Sequence, residues 1–305
     1  MTTKPKVIVI YGATASGKSS LALKIAEEYG GTIINADSMQ VYNDLQIITA
    51  RPDTSKTSIP HKLYGFLNGL ESCSAGIWAK MAAKEIKNCT LPIIAGGTGL
   101  YIEALTNGLS PIPEVDDSIK AKFRDDLIET AELYKLLQEE DADAAAKLKA
   151  NDRQRITRAL EVFESTGKSI LSWQKEAPKC PVEADFIKIF VNPERQQLYQ
   201  KCNNRFDEMI DQGALKEVKE LIAKNYPKNC QIMKALGVEE LALYLEGKIN
   251  LEEAKDKAKV KTRQYAKRQI TWFKNRFISD VTAVTNDNYF EISQLFTSLK
   301  LRKCI

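Results

Sequence analysis

The chain alternates between two hydrophobic textures. Short apolar runs, Val7-Ile8-Val9-Ile10, Thr32-Ile33-Ile34-Asn35-Ala36, Leu91-Pro92-Ile93-Ile94-Ala95 and Phe186-Ile187-Lys188-Ile189-Phe190-Val191, largely lack the polar alternation of a strand with one wet face. They predict strands buried on both sides, as in a parallel sheet covered by helices. Elsewhere apolar residues recur at helical spacing: over 21–26, near 77–87, and at Leu198, Cys202, Phe206 and Met209 in a stretch, 195–226, that Gly213 interrupts.

Ser110-Pro111-Ile112-Pro113 breaks this rhythm, and 116–165 is strongly charged and helical with no buried-strand run. The expected organisation is therefore 1–115, the first part of an α/β core; 116–182, an inserted helical subdomain; and 183–305, the second part of the core. In the insertion, Asn151-Asp152 can cap a helix with Ile156, Ala159, Leu160 and Phe163 on one face, and Gly167 can end it. Arg153, Arg155 and Arg158 lie largely off that face, either as phosphate contacts from a lid or as ordinary surface charge. In the last long helix, 251–277, Ala266, Ile270 and Phe273 form a seam that should dock on the core. Another face carries Lys261, Tyr265, Arg268, Trp272 and Arg276.

The first apolar run leads into Gly12-Ala13-Thr14-Ala15-Ser16-Gly17-Lys18-Ser19, which opens a helix. A strand, a glycine-punctuated turn and a helix N-terminus aim several backbone N–H groups and the positive end of a dipole at one point, which suits phosphate. Lys18 adds a mobile charge, and the Ser19 hydroxyl can ligate Mg²⁺. The fold class expected is α/β: a P-loop NTPase-like parallel sheet flanked by helices, with an inserted helical subdomain. The loop does not say whose phosphate it holds.

Ligands of open α/β folds gather at the carboxyl ends of strands, so Asp37, just after the second run, should face the same crevice. It is the leading candidate for a general base, a local turn cap being the alternative. Gly96-Gly97-Thr98-Gly99-Leu100-Tyr101 makes a second glycine turn at the end of another strand, with the Thr98 hydroxyl available to a ligand or the turn simply tight. No acidic residue closes that strand as a Walker B aspartate would, which argues against an ATPase motor. Arg205 lies near the apolar face of its helix and is a candidate phosphate ligand or a buried ion-pair partner. Arg51 could touch phosphate or lie on the surface.

Composition bounds these readings. A chain of 305 residues with 44% apolar and 28% charged residues is ordinary for a globular protein. The sequence contains no apolar run long enough for a membrane span and begins its first strand too early for a leader, so a cytoplasmic location is expected. Six dispersed cysteines and a single histidine, His61, suggest neither a zinc site nor a redox dithiol, which leaves acid–base work to a carboxylate. The net charge is only +4, but within 255–276 nine Lys or Arg residues face one acid, Asp256, leaving the rest of the chain net acidic. Basic side chains interleaved with Tyr265 and Trp272 suit a surface that pairs phosphates and stacks on unpaired bases; a solvated charged face is the plain alternative.

Taken in order, these segments resemble the tRNA dimethylallyltransferases, or tRNA isopentenyltransferases. Besides the P-loop and the 96–101 turn, the resemblance rests on Asp37-Ser38-Met39-Gln40-Val41-Tyr42, Thr49-Ala50-Arg51-Pro52, Ser74-Ala75-Gly76, Asn151-Asp152-Arg153-Gln154-Arg155 with Arg158-Ala159-Leu160-Glu161-Val162, and Gly237 with Glu239. It ends with Thr262-Arg263-Gln264-Tyr265-Ala266-Lys267-Arg268-Gln269 and Thr271-Trp272-Phe273. Ala13, Ser19, Ile48 and Lys62 depart from the family pattern, and Ser19 keeps the hydroxyl of the usual Thr.

The resemblance implies transfer of a dimethylallyl group from dimethylallyl diphosphate to N6 of the adenosine 3′-adjacent to the anticodon, in tRNAs that read codons beginning with U. It places the prenyl diphosphate on Gly12, Ala13, Thr14, Ala15, Ser16, Gly17, Lys18 and Ser19, with Mg²⁺ at Ser19. Asp37 would take the N6 proton, Thr98 would line the channel, and Lys18 and Arg205 would stabilise the departing pyrophosphate. The tRNA anticodon stem-loop would meet Asp37, Ser38, Met39, Gln40, Thr98, Lys120, Gln154, Arg155, Ile156, Thr157, Arg158, Lys234, Gly237, Glu239, Lys267, Arg268, Gln269, Trp272 and Lys274. A monomer without a membrane partner is expected. A P-loop small-molecule or nucleotide kinase and a non-catalytic RNA-binding NTPase are the competing readings of the residues alone.

Overall fold

In the computed structural model, which describes residues 4–125, 127–284, 289–299 and 301, the chain divides by its contacts into two compact units, 1–106 with 181–305, and 107–180. The second unit thus begins ahead of the expected boundary at 116. Within that unit Leu109 pairs with Lys179 in an antiparallel bridge, and a side chain at Gly108 would strike the Lys179 carbonyl.

The first unit starts with β1 (Lys6–Gly12), α1 (Lys18–Tyr29), β2 (Thr32–Asn35), β3 (His61–Lys62), α2 (Ala75–Lys87), β4 (Pro92–Gly96) and α3 (Gly99–Thr106). The second contains α4 (Asp117–Arg124), α5 (Thr130–Glu140), α6 (Ala142–Lys147), α7 (Arg153–Thr166) and α8 (Ile170–Gln174). The chain then completes the first unit with β5 (Asp185–Val191), α9 (Arg195–Asp211), α10 (Ala214–Ala223), α11 (Val238–Leu245), α12 (Leu251–Arg276), β6 (Val281–Ala283) and α13 (Tyr289–Ser298).

Among the described residues six strands form one sheet in the order β3-β2-β4-β1-β5-β6, every pair parallel. Val7, Ile8, Val9 and Ile10 are wholly buried, because β1 is inside the sheet and helices cover it. Leu21, Ala22, Ile25 and Ala26 of α1 pack with Ile8, Ile10, Ile93 and Ile189 to form the main core. Pairing of Tyr11 with Gly96 and of Gly12 with Val191 aligns the carboxyl ends of β4, β1 and β5, where the phosphate loop emerges. The apolar runs did not reveal β3 and β6. At two and three residues they are too short to carry a period, and pairing with Ile33-Ile34 and with Ile189-Phe190-Val191 defines them.

Local signals set the helix ends. Asp152 caps α7 by accepting the Arg155 N–H, Gly167 closes it at φ 64°, and Gly213 at φ 104° separates α9 from α10. The second unit has its own core of Phe123, Leu133, Leu137, Ala144, Ala145, Ile156, Ala159 and Leu160. Two of the expected tRNA contacts belong to that interior: Ile156 is wholly buried and Thr157 nearly so, because they lie on the inner face of α7. Arg153, a lid contact or a surface charge by its sequence, donates to the Ile128 and Asp125 carbonyls. Lys120 pairs with Asp117 and Arg155 with Asp152, while Gln154 is exposed. Arg158 and Arg124 both pair with the buried Glu161 carboxylate, at 3.3 and 2.6 Å.

Candidate active site

Close backbone approach shapes the loop between β1 and α1. A side chain at Gly12 would place its first carbon 2.2 Å from the Val191 carbonyl oxygen, so only glycine lets β1 turn beside β5. Ala15 at φ 60° and Gly17 at φ 98° curl the loop into a concavity ahead of the N-terminal turn of α1, whose first N–H groups have no partner within the helix. Ser16 Oγ is buried inside this loop without a hydrogen-bond partner among the described residues. An orphaned hydroxyl there is a donor in waiting for an anionic oxygen.

Two cations are fastened to the loop. Lys18 Nζ donates to the Ala13 carbonyl at 2.5 Å, and Arg205 Nη2 donates to Thr14 Oγ1. Burial pushes the Lys18 ammonium down to about 8; the Asp37 carboxylate opposes that shift and the Arg205 guanidinium adds to it. A phosphate oxygen can compete for both donors and would relieve the repulsion between them. A cavity of about 350 Å³ opens here, bounded by Ala15, Ser16, Gly17, Lys18, Ser19 and Ser20 on one side and by Lys201, Asn204, Arg205 and Glu208 of α9 on the other. Lys201, Asn204 and Glu208 escaped the sequence reading. Their spacing of three and four around Arg205 puts them on one helical face, the signal by which they could have been found.

The strand-end side of the crevice is stitched by side chains. Asn35 accepts the Asp37 N–H at 2.8 Å and donates to the carbonyls of Asp37 and Leu63. Asp37 Oδ1 accepts the Met39 N–H at 2.9 Å, so the turn-capping role is real. The same carboxylate lies within electrostatic reach of Lys18, Arg205, Tyr64, Tyr101 and Tyr265. Thr98 accepts the Ser38 N–H and ties this segment to the second glycine turn. Gly96 can only be glycine, since a side chain there would meet the Ala36 backbone at 2.2 Å. The Gln40 amide donates to the Thr49 and Ala50 carbonyls and so holds its own loop, and Arg51 reaches the Leu45 and Asn43 carbonyls rather than a crevice.

Helix α12 is less uniformly basic at its surface than its sequence implies. Lys255 and Lys259 pair with Asp207, and Lys261 with Glu239 and Glu240. Arg263 donates to Asn203, and Arg276 pairs with Glu103 at 3.4 Å. Lys267, Arg268 and Lys274 are exposed and carry no acidic partner among the described residues. An open groove lined by Gln264, Lys267, Arg268, Thr271, Trp272, Asn275 and Arg276 follows this end of the helix. Arg268 stacks 5.7 Å from the centre of the Tyr265 ring, and the Trp272 ring lies over Gly99, where a side chain would meet it at 2.3 Å.

Two further residues expected to meet tRNA serve the interior. Gln269 is buried, with its amide taken up by the Thr14 N–H and the Gly97 carbonyl. Gly237 is buried at the start of α11 with φ 92°, where a side chain would strike Phe206 and Ile48; it makes a turn and packs. Lys234 is exposed.

The donor set at Ser19 suits magnesium. Among the described residues no three His, Cys, Asp or Glu side chains gather to cage a metal. Magnesium bound through phosphates needs little more than one protein oxygen, and the Ser19 hydroxyl is exposed at the mouth of the phosphate cavity.

A protein-family model described as IPP transferase matches residues 40–276. A tRNA dimethylallyltransferase from Paramagnetospirillum magneticum is 43% identical over 308 residues, spanning 99% of this chain and 97% of that protein. A tRNA delta(2)-isopentenylpyrophosphate transferase crystal structure from Staphylococcus epidermidis is similar with a TM-score of 0.70 at 34% identity, over 97% of this chain and 100% of that one. A eukaryotic dimethylallyltransferase crystallised acting on tRNA is similar with a TM-score of 0.81 at 27% identity, over 97% of this chain and 80% of that one.

Proposed function

The chain belongs to the IPP transferase family, and from that membership we propose that it transfers the dimethylallyl group of dimethylallyl diphosphate to N6 of the adenosine 3′-adjacent to the anticodon, in tRNAs that read codons beginning with U, and releases pyrophosphate. The observation that supports this reading is that an anion cradle carrying Lys18 and Arg205 lies within electrostatic reach of the Asp37 carboxylate, whose segment is tied to the neighbouring strand end through Thr98. A group-transfer enzyme needs a site for the leaving group and a base for the acceptor within one small space.

In this reaction the allylic C–O bond breaks as negative charge builds on pyrophosphate. The N–H groups at the start of α1, the Ser16 hydroxyl, Lys18 and Arg205 are fixed where that charge develops, so little reorganisation is needed at the moment of transfer. The Ser19 hydroxyl would hold Mg²⁺, which would supply further neutralisation of the same charge. Adenine N6 is a weak nucleophile, and Asp37 accepts its proton as the new C–N bond forms. The base must leave its stack to reach Asp37, at a cost of about a few kcal/mol that is lowest in an unpaired anticodon loop. Lys267, Arg268 and Lys274 supply unpaired positive charge for that loop's backbone, and Trp272 shares a groove with Lys267 and Arg268.

Radiolabelled dimethylallyl diphosphate, incubated with the full chain and an unmodified anticodon stem-loop RNA, is expected to leave label in the RNA. ATP-dependent phosphorylation of a small molecule, or nucleotide-controlled RNA binding without label transfer, would overturn the reading. Asp37→Asn keeps an acceptor for the Met39 N–H and should lower turnover roughly 10²- to 10⁴-fold while RNA affinity falls far less.

A further inference from the structure

Gln269 lies on the inner face of α12, between the exposed Arg268 and the half-buried Ile270, and is only 6% exposed itself. The two ends of its amide serve different loops. Oε1 accepts the Thr14 N–H at 2.8 Å, and Nε2 donates to the Gly97 carbonyl at 2.8 Å. Among the side chains of this size, an uncharged amide alone offers a donor and an acceptor side by side: a carboxylate lacks the donor and a thioether lacks both.

The neighbours of Gln269 fit this role. A side chain on Gly97 would put its first carbon 2.3 Å from Nε2, so Gly97 leaves the space that the amide occupies. Thr14 is held from two directions, its N–H by Gln269 and its hydroxyl by Arg205, so displacing the first anchor also disturbs the second. The Tyr265 hydroxyl, one turn back on α12, lies near Gln269 and within the electrostatic reach of Asp37. The Gly97 turn leads directly to Thr98, which ties down the Asp37 segment through Ser38.

We propose that Gln269 is a positioning residue: its amide holds the Thr14 arm of the phosphate loop and the Gly97-Thr98 turn in fixed register, and thereby sets the diphosphate site against the acceptor base. The proposal rests on the transfer reading above. Gln269 is buried with both ends of its amide engaged within the protein, so it acts through the loops it holds. Because its bond removes the Thr14 N–H from the set of phosphate donors, its effect on the diphosphate passes through the loop's shape and through Arg205.

The test uses the full chain with Gln269→Met, which keeps the length of the side chain and removes both hydrogen bonds, and Gly97→Ala, which crowds the amide without changing Gln269. Calorimetry with inorganic pyrophosphate and Mg²⁺, KM for dimethylallyl diphosphate, and affinity for an unmodified anticodon stem-loop RNA are compared with the parent chain. Gln269→Met should weaken pyrophosphate binding and raise KM for the prenyl diphosphate roughly tenfold, with RNA affinity held within about twofold. Gly97→Ala should shift the same two quantities in the same direction, and it decides the matter if the methionine variant does not fold. Loss of RNA affinity with pyrophosphate binding unchanged would overturn the proposal, as would a parallel decline of every parameter together with the melting temperature. If the parent chain itself bound no pyrophosphate or transferred no label, the transfer reading would fail instead.

Discussion

The Ser38 backbone N–H donates to the Thr98 hydroxyl oxygen at 2.9 Å, and the Thr98 hydroxyl lies 3.2 Å from Ser38 Oγ, so the segment that carries Asp37 is tied to the glycine turn after β4. The Thr98 N–H reinforces this by donating to the Ala36 carbonyl at 3.0 Å. Removing the hydroxyl leaves the Ser38 N–H without its acceptor and loosens the Asp37 segment, which the Thr98 N–H and Asn35 still hold. Thr98→Ala should therefore slow single-turnover transfer by about tenfold or more, whereas Thr98→Ser, which keeps the oxygen, should stay within about threefold of the parent. Equal losses in the two variants would show that the methyl group, and not the hydrogen bond, matters.

Lys18 gives two pH effects of opposite sign. Its ammonium is pushed by burial from the ordinary lysine value of 10.5 down to about 8. Above about pH 8 the folded protein loses this charge, so affinity for pyrophosphate and kcat/KM for dimethylallyl diphosphate should fall with a limb near 8. Folding behaves in the reverse way. Between about 8 and 10.5 the unfolded chain holds the proton that the folded chain has released, so this group's contribution to stability rises with pH across that window. Denaturation and pyrophosphate titrations over pH 7–10.5 check both slopes, and Lys18→Met should remove the two together.

Arg268 is exposed, stacked on Tyr265 and without an acidic partner among the described residues. Arg268→Ala should weaken binding of anticodon stem-loop RNA and reduce the slope of log affinity against log salt by about 0.7 to 0.9, the effect of one lost phosphate contact. Lys261→Ala, which removes a charge already paired with Glu239 and Glu240, should leave that slope nearly unchanged. Fluorescence anisotropy over a salt series distinguishes the two.

Ile156 is wholly buried in the core of the 107–180 unit. Ile156→Ala should destabilise that unit by about 2–5 kcal/mol through lost burial and a residual cavity. Hydrogen exchange should show the loss of protection concentrated in α5, α6 and α7. RNA affinity that falls while exchange in those helices stays at the parent level would restore Ile156 as an RNA contact.

Much of the fold was legible because it is written locally. The apolar runs that become β1, β2 and β4 require burial on both faces whatever covers them, and the run of β5 is buried on both faces from Ile189 onward. The ends of α7 and the break at Gly213 were equally readable, since a cap or a left-handed glycine acts within a few residues of itself. The phosphate loop was legible for the same reason: strand, turn and helix N-terminus are contiguous.

The surroundings of that loop belong to tertiary structure. Gln269 read as a tRNA contact on a basic helix, and only the packing of α12 against a loop 255 residues earlier turned it inward. The basic run of α12 looked continuous until Asp207, Glu239 and Glu240, brought from α9 and α11, neutralised its first half. Sequence by itself determined which residues share a strand, a turn or a helical face, because backbone geometry fixes those relationships. It could not determine which face meets which partner: that depends on burying apolar surface and pairing polar groups across segments whose order in the chain carries no record of their proximity.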